Sequence, residues 1–207
     1  MPRLRLLASC LAVALTFPAA AGAAPDLAPP LAQMPAQAQA MAPVVARFRA
    51  DLASLERVHD ATAGPRREQA LRRLYTSWQA RLGEIDPATL GDEDRLDHAL
   101  FRRDLAYRLG QLDFQRQRVA EAAPLLPGVE RLVALVEARR AHEYPEGRAS
   151  ADTLEGVRRE LADLHARLAK DPKSAAASPI VAFRAARLLD GVRADLKQWH
   201  GFHSGYD

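Results

Sequence analysis

The sequence predicts an all-α fold of about six amphipathic helices in an antiparallel array. Three observations carry that expectation. Ala, Leu and Arg dominate the 207 residues while aromatics make up only 6%, a composition that favours helix. Apolar residues recur at intervals of three and four along most of the chain, the spacing of one helix face. No segment alternates apolar and polar residues in the period of a half-buried strand.

The first 23 residues stand outside that fold. Arg3 and Arg5 precede the apolar run Leu6–Phe17, and small residues lead to Ala21-Gly22-Ala23. A short cationic start, about a dozen apolar residues and an A-x-A site form a secretory signal peptide, too short for a membrane span. The expected product begins at Ala24 and is periplasmic or secreted. Leu7-Ala-Ser-Cys10 also spells a lipoprotein box, but Cys10 sits in the middle of the apolar run. Cleavage there would leave almost no hydrophobic segment before the cut, so lipid anchoring is the lesser expectation. Without it the mature chain has no cysteine and no disulfide.

Residues 24–43 are rich in Pro, Ala and Gln, with Pro25, Pro29, Pro30, Pro35 and Pro43 expected to break any regular element. They read as a flexible tether, which leaves 44–207 as the helical domain. There Val45, Phe48, Leu52, Leu55 and Val58 mark a first helix, ended near Gly64-Pro65. Leu71, Leu74, Trp78, Leu82 and Ile85 mark a second, stopped at Asp86-Pro87. The third and longest runs from about Asp92 to Ala122, opening on three carboxylates that suit the positive end of a helix dipole. Its apolar residues Leu96, Leu100, Phe101, Leu105, Tyr107, Leu109, Leu112, Phe114 and Val119 cover more than one face, as in a central helix touched from several sides. Pro124 to Gly128 breaks the chain before a short fourth helix, Val129 to about Arg140. A fifth begins after Ser150 with Leu154, Val157, Leu161, Leu164 and Leu168, and a sixth near Pro179 ends on Trp199.

Charge excludes one class of partner. Loss of residues 1–23 removes two arginines and no acid, leaving 27 basic residues against 26 acidic, a net charge of +1. A balanced chain sets up no broad phosphate-attracting field, so nucleic acid is not expected as a partner. No stretch is expected to cross a membrane.

The candidate catalytic motifs are incomplete. His142-Glu143-Tyr144-Pro145-Glu146 begins like the H-E-x-x-H zinc signature, which needs histidines at i and i+4 on one helix face. Glu146 stands where the second histidine belongs, and Pro145 disrupts the helix. A polar loop is expected instead. His200 and His203 have helical i, i+3 spacing, but Gly201 and Gly205 weaken that helix and no third ligand is apparent. His98 beside Asp97 and His165 near Asp163 read as surface or satisfied core histidines. No catalytic, cofactor-binding or metal-ligating residue is assigned. The cluster Trp199, Phe202 and Tyr206 at the end of the sequence either folds onto this chain's own core or meets a partner absent from it.

In order, Trp78 and Leu82 before the Asp86 turn, Arg95-Leu-Asp97-His-Ala-Leu100, Glu121-x-x-Pro-Leu-Leu-Pro127 and Trp199-x-x-Phe202-x-x-Gly205-Tyr206-Asp207 resemble one family. It is the bacterial secreted family named domain of unknown function 885, in its N-terminal part, matched over about residues 45–207. The sequence departs from that pattern at Gly128, where phenylalanine is usual, and at His98, usually tyrosine. The resemblance implies a larger, mostly helical protein that continues for several hundred residues past Asp207. Its later portion carries an H-E-x-x-P-G-H motif and the zinc of a peptidase. The missing portion would then be this chain's partner and a peptide its substrate, with no catalytic residue carried over here. The alternative is an autonomous periplasmic helical module that binds a peptide or protein partner.

Intact-mass measurement of the protein exported by a bacterial host is expected to show a chain starting at Ala24. A diacylglycerol-modified Cys10 that disappears in Cys10→Ala would reverse that expectation.

Overall fold

The computed structural model describes residues 40–144, 146–171 and 177–203. Helices α1 (Met41–Val58), α2 (Pro65–Gly83), α3 (Asp92–Ala122), α4 (Val129–Arg140), α5 (Gly147–Lys170) and α6 (Pro179–His203) account for most of them, and no strand occurs among the described residues. The fold is all-α, as expected. The signal peptide, Cys10 and tether residues 24–39 lie outside the described residues, as do Pro145, Gly205, Tyr206 and Asp207.

Three boundaries differ from those the sequence suggests. Helix α5 starts at Gly147, ahead of the start expected after Ser150, which is buried within its first turns. The tether does not reach residue 43: α1 starts at Met41, and Pro43 sits in its first turn. Proline is tolerated there because the first N–H groups of a helix have no intrahelical partner. Met41 N donates instead to Asp94 Oδ1 at 2.7 Å, a carboxylate in the first turn of α3. At the other end α6 runs through Gly201 to His203, where a break was expected. The His203 ring packs 4.6 Å from that of Trp199, and Arg139 of α4 lies over Phe202 at 4.9 Å. These contacts hold the last turn in spite of its glycine.

Helices α1, α2 and the first two-thirds of α3 enclose the larger core. Phe48 stands at its centre, 4.9 Å from Phe101, 5.9 Å from Trp78 and 6.2 Å from Tyr75 by ring centroid. Trp78, Leu74, Leu82 and Leu105 are almost wholly buried around it. A second core joins the end of α3 to α4, α5 and α6 through Ala122, Leu126, Val129, Leu132, Val133, Val157, Ala185 and Val192. Trp199 closes a third, smaller cluster with Ala61, Leu135 and Val136. Of the two expectations for the closing aromatic cluster, Trp199 follows the first and is covered by the chain's own core. Helix α3 spans both halves and touches α1, α2 and α6. Its outer side, carrying Leu96, Leu100, Tyr107 and Phe114, is exposed.

A carboxylate links the halves. Glu137 of α4, buried at 6% exposure, accepts from Arg66 N at 2.9 Å and Arg67 N at 3.4 Å in the first turn of α2. The N-cap residue of α2 is Gly64, which offers no side-chain cap, so the cap comes from another helix. A Cβ at Gly64 would meet Glu137 Oε1 well inside contact distance. Beside it, Asp195 of α6 accepts from Thr62 N at 2.7 Å.

Gly128 is the other glycine the backbone demands. Its φ of +71° is left-handed, and a Cβ would strike Arg131, Glu160 and Val157. The phenylalanine usual at this place in the resembled family has no room in this turn.

Removing the inter-helix cap sets a measurable cost. Glu137→Ala is expected to lower unfolding free energy by about 2 kcal/mol, the scale of orphaned buried donors at a helix start. Gly64→Ala is expected to destabilise by displacing the same carboxylate. Urea denaturation of the double variant should then show less than the sum of the two single losses.

Candidate functional site

A cleft of about 810 Å³ lies where the start of α2, the last third of α3 and the start of α6 meet. Its apolar surface comes from Leu112 and Val119 of α3 and Leu188 and Phe183 of α6, with Phe183 63% exposed at the edge. Five arginines surround this surface: Arg67, Arg116, Arg118, Arg184 and Arg187. Only two carboxylates, Glu68 and Glu130, line it with them. The lining itself is richer in cations than in anions, while Glu56, Asp113 and Glu121 just outside it each meet one of these arginines.

The arginines differ in how they are held. Arg184 pairs with Glu121 at 2.9 Å and Arg116 with Asp113 at 3.0 Å. Arg118 lies 3.8 Å over the ring of Phe114, and Arg67 reaches Glu56 only at 3.8 Å. Arg187 makes no ion pair or hydrogen bond among the described residues. Cations not satisfied by the protein's own carboxylates are available to an anionic ligand.

The wall at the start of α2 is conformationally stressed. Ala63 has φ +55°, a left-handed conformation that costs a Cβ-bearing residue free energy. It is held there by Gly64 N donating to Ala61 O at 3.1 Å and by the Thr62–Asp195 bond.

The sequence-level candidates are dispersed. Glu143 forms a two-pronged pair with Arg66, at 3.0 and 2.8 Å. That hydrogen-bonded partner holds its carboxyl below the usual range. His142 sits in the turn after α4 with φ +58°, so no zinc-type helix forms. His98 is buried, its Nε2 3.1 Å from Leu82 O, a satisfied core histidine. His165 is exposed on α5. His200 and His203 do share helix α6, contrary to the break expected at Gly201. Among the described residues no group of three or more His, Cys, Asp or Glu could hold a metal ion. Arg95 bonds Pro87 O and Leu90 O and fastens the short 3-10 turn (Pro87–Thr89) to α3. Of the residues in the family-like pattern, Glu121 meets Arg184 at the cleft. The other cleft arginines gave no sequence signal, because each reads alone as a solvated helix-surface charge.

One half-buried carboxyl lies away from the cleft. Asp51 of α1 is pushed up by burial, against the attraction of Arg47 at 3.0 Å.

Comparison with known proteins gives no match: no family model, curated protein or solved structure is significantly similar to this chain.

The two shifted carboxyls make opposite contributions to stability against pH. Glu143, lowered on folding, stabilises above the ordinary Glu range near pH 4.3, and that contribution is lost as pH falls through its folded value. Asp51, raised on folding, favours the native state most below the ordinary Asp range near pH 3.9, and that contribution is lost as pH rises through its folded value. Asp51→Asn is therefore expected to melt higher than wild type at pH 7, with the difference shrinking towards pH 3. Glu143→Gln is expected to melt lower at pH 7 and to converge with wild type in acid. Thermal melts monitored by circular dichroism check both.

Proposed function

We propose that this chain is a non-catalytic helical binding module of an exported protein, and that its α2–α3–α6 cleft takes an acidic peptide. The observation that carries the proposal is the concentration of five arginines around an apolar floor in a chain of nearly balanced charge. An extended segment with Asp or Glu beside Leu or Phe matches both parts: carboxylates pair with the guanidinium groups, and apolar side chains cover Leu112, Leu188 and Phe183.

On the family resemblance, the module is the N-terminal portion of a zinc-peptidase-like protein, and the cleft holds a peptide for chemistry performed by the later portion. The residues described here do not fit a zinc site, so no step is routed through the metal. The same cleft serves equally in an autonomous periplasmic module, the alternative reading.

Fluorescence anisotropy tests the proposal with a labelled peptide of alternating Glu and Leu and a control in which Lys replaces Glu. The acidic peptide is expected to bind with an affinity that falls as salt rises. Arg116→Glu combined with Arg187→Glu is expected to weaken it at least ~10-fold, the effect of about 1.4 kcal/mol, and the lysine peptide should not bind. Added zinc should leave the affinity unchanged. Equal binding of the two peptides, or indifference to the double substitution, would overturn the assignment.

A further inference from the structure

Helix α3 carries a stripe that no other part of the described chain covers. Leu96, Leu100, Tyr107 and Phe114 are 60%, 55%, 63% and 44% exposed. With Arg103 and Gly110 they fall at i, i+4, i+7, i+11, i+14 and i+18. Eighteen residues are five turns of a 3.6-residue helix, so the stripe runs straight along one side for about 27 Å. The opposite side of the same helix holds Phe101, Leu105 and Leu112, all in the core. Most other large apolar residues on α3 are used by the fold, and this line is not.

The order of residues along the stripe is complementary to itself when reversed. In an antiparallel pairing centred between Arg103 and Tyr107, Leu96 of one helix faces Phe114 of the other. Leu100 faces Gly110, where the lack of a side chain leaves a hole for it. Arg103 faces Tyr107, a guanidinium against a phenol ring. At each end Asp92 faces Arg118. All of these side chains are exposed or, for glycine, absent. A parallel pairing loses this matching: Asp92 and Glu93 would lie against the same acids, Arg103 against Arg103 and Arg118 against Arg118.

We propose that two copies of this chain associate through α3 in antiparallel, two-fold symmetric fashion, with the Leu96–Phe114 stripe as the seam. The symmetry is that of an isologous dimer, in which each contact occurs twice. A single helix pair of this length covers less than the roughly 800 Å² per partner of a standard stable interface. The association is therefore reversible and depends on concentration. It is independent of the peptide-binding assignment, since the stripe runs along the outer side of α3 and shares only Arg118 with the cleft.

Sedimentation velocity of the purified protein from micromolar to several hundred micromolar should show a monomer–dimer equilibrium. Tyr107→Glu is expected to weaken dimerisation at least ~10-fold without changing the helical circular dichroism spectrum, because the residue is exposed. Asp92→Arg and Arg118→Glu should each weaken it, and the variant carrying both should recover it. Direction is read by cross-linking: Leu96→Cys mixed with Phe114→Cys should form an inter-copy disulfide far faster than Leu96→Cys alone. A monomer at every concentration would overturn the proposal. So would a dimer indifferent to Tyr107→Glu, a dominant Leu96→Cys self-cross-link, or uptake of the stripe by phospholipid vesicles in place of self-association.

Discussion

The two halves of this fold are held in register by a buried carboxylate that caps a helix to which it does not belong. Glu137 on α4 closes the start of α2 at Arg66 and Arg67. It fits only because Gly64 has no side chain. The loop it anchors is also tied by Asp195 of α6 through Thr62. All three helices that meet at this loop line the arginine-rich cleft: α2, α6 and, through Glu130, α4. The bond between α4 and α2 therefore fixes the mouth of the cleft as well as the packing of the cores. The strained Ala63 lies between the two carboxylate anchors, which is the kind of over-determination that sustains such a conformation. Asp94 does the same for α1 by accepting from Met41 N. Helices α1 and α2 are thus capped from a distance, and there secondary and tertiary structure become one constraint.

This dependence explains what was legible in the sequence and what was not. The stripes Leu71–Leu74–Trp78–Leu82 and Val157–Leu161–Leu164 follow from local periodicity, and the helices sit where that periodicity puts them. Pro124 and Gly128 mark their break correctly because proline and left-handed glycine act within a few residues. The start of α1 was hidden because its determinant is Asp94, 53 residues away. The end of α6 was hidden because the ring contact of Trp199 with His203 and the cover of Arg139 over Phe202 outweigh the poor helix propensity of Gly201. The cleft was hidden for a related reason. Its arginines come from three helices, and an arginine-rich sequence offers no means of telling which ones converge. The exposed side of α3 was misread in a different way: the many apolar residues of that helix imply contacts on several sides, and the fold supplies only part of them.

Arginine carries much of the polar work between elements. Arg66 to Glu143, Arg72 to Asp113, Arg140 to Asp60, Arg131 to Glu160 and Arg184 to Glu121 each join different elements. Most are partly exposed, and an exposed pair contributes little to stability. Arg66 grips Glu143 through two N–H groups, and a guanidinium held in that way accepts few orientations.

Helix α5 stands apart from this mesh. It packs chiefly on α4, contributes Val157 and Leu164 as its buried apolar residues, and among the described residues is joined to the rest by the Arg131–Glu160 pair. Opening of a folded protein proceeds through the parts with the fewest buried contacts. Here that part is a whole helix at the rim, and its departure would bare Val129, Leu132 and Val133 while leaving the aromatic core around Phe48 intact. The molecule thus contains a first step of unfolding that is a detachment, with the peripheral helix swinging away from a body that keeps its shape.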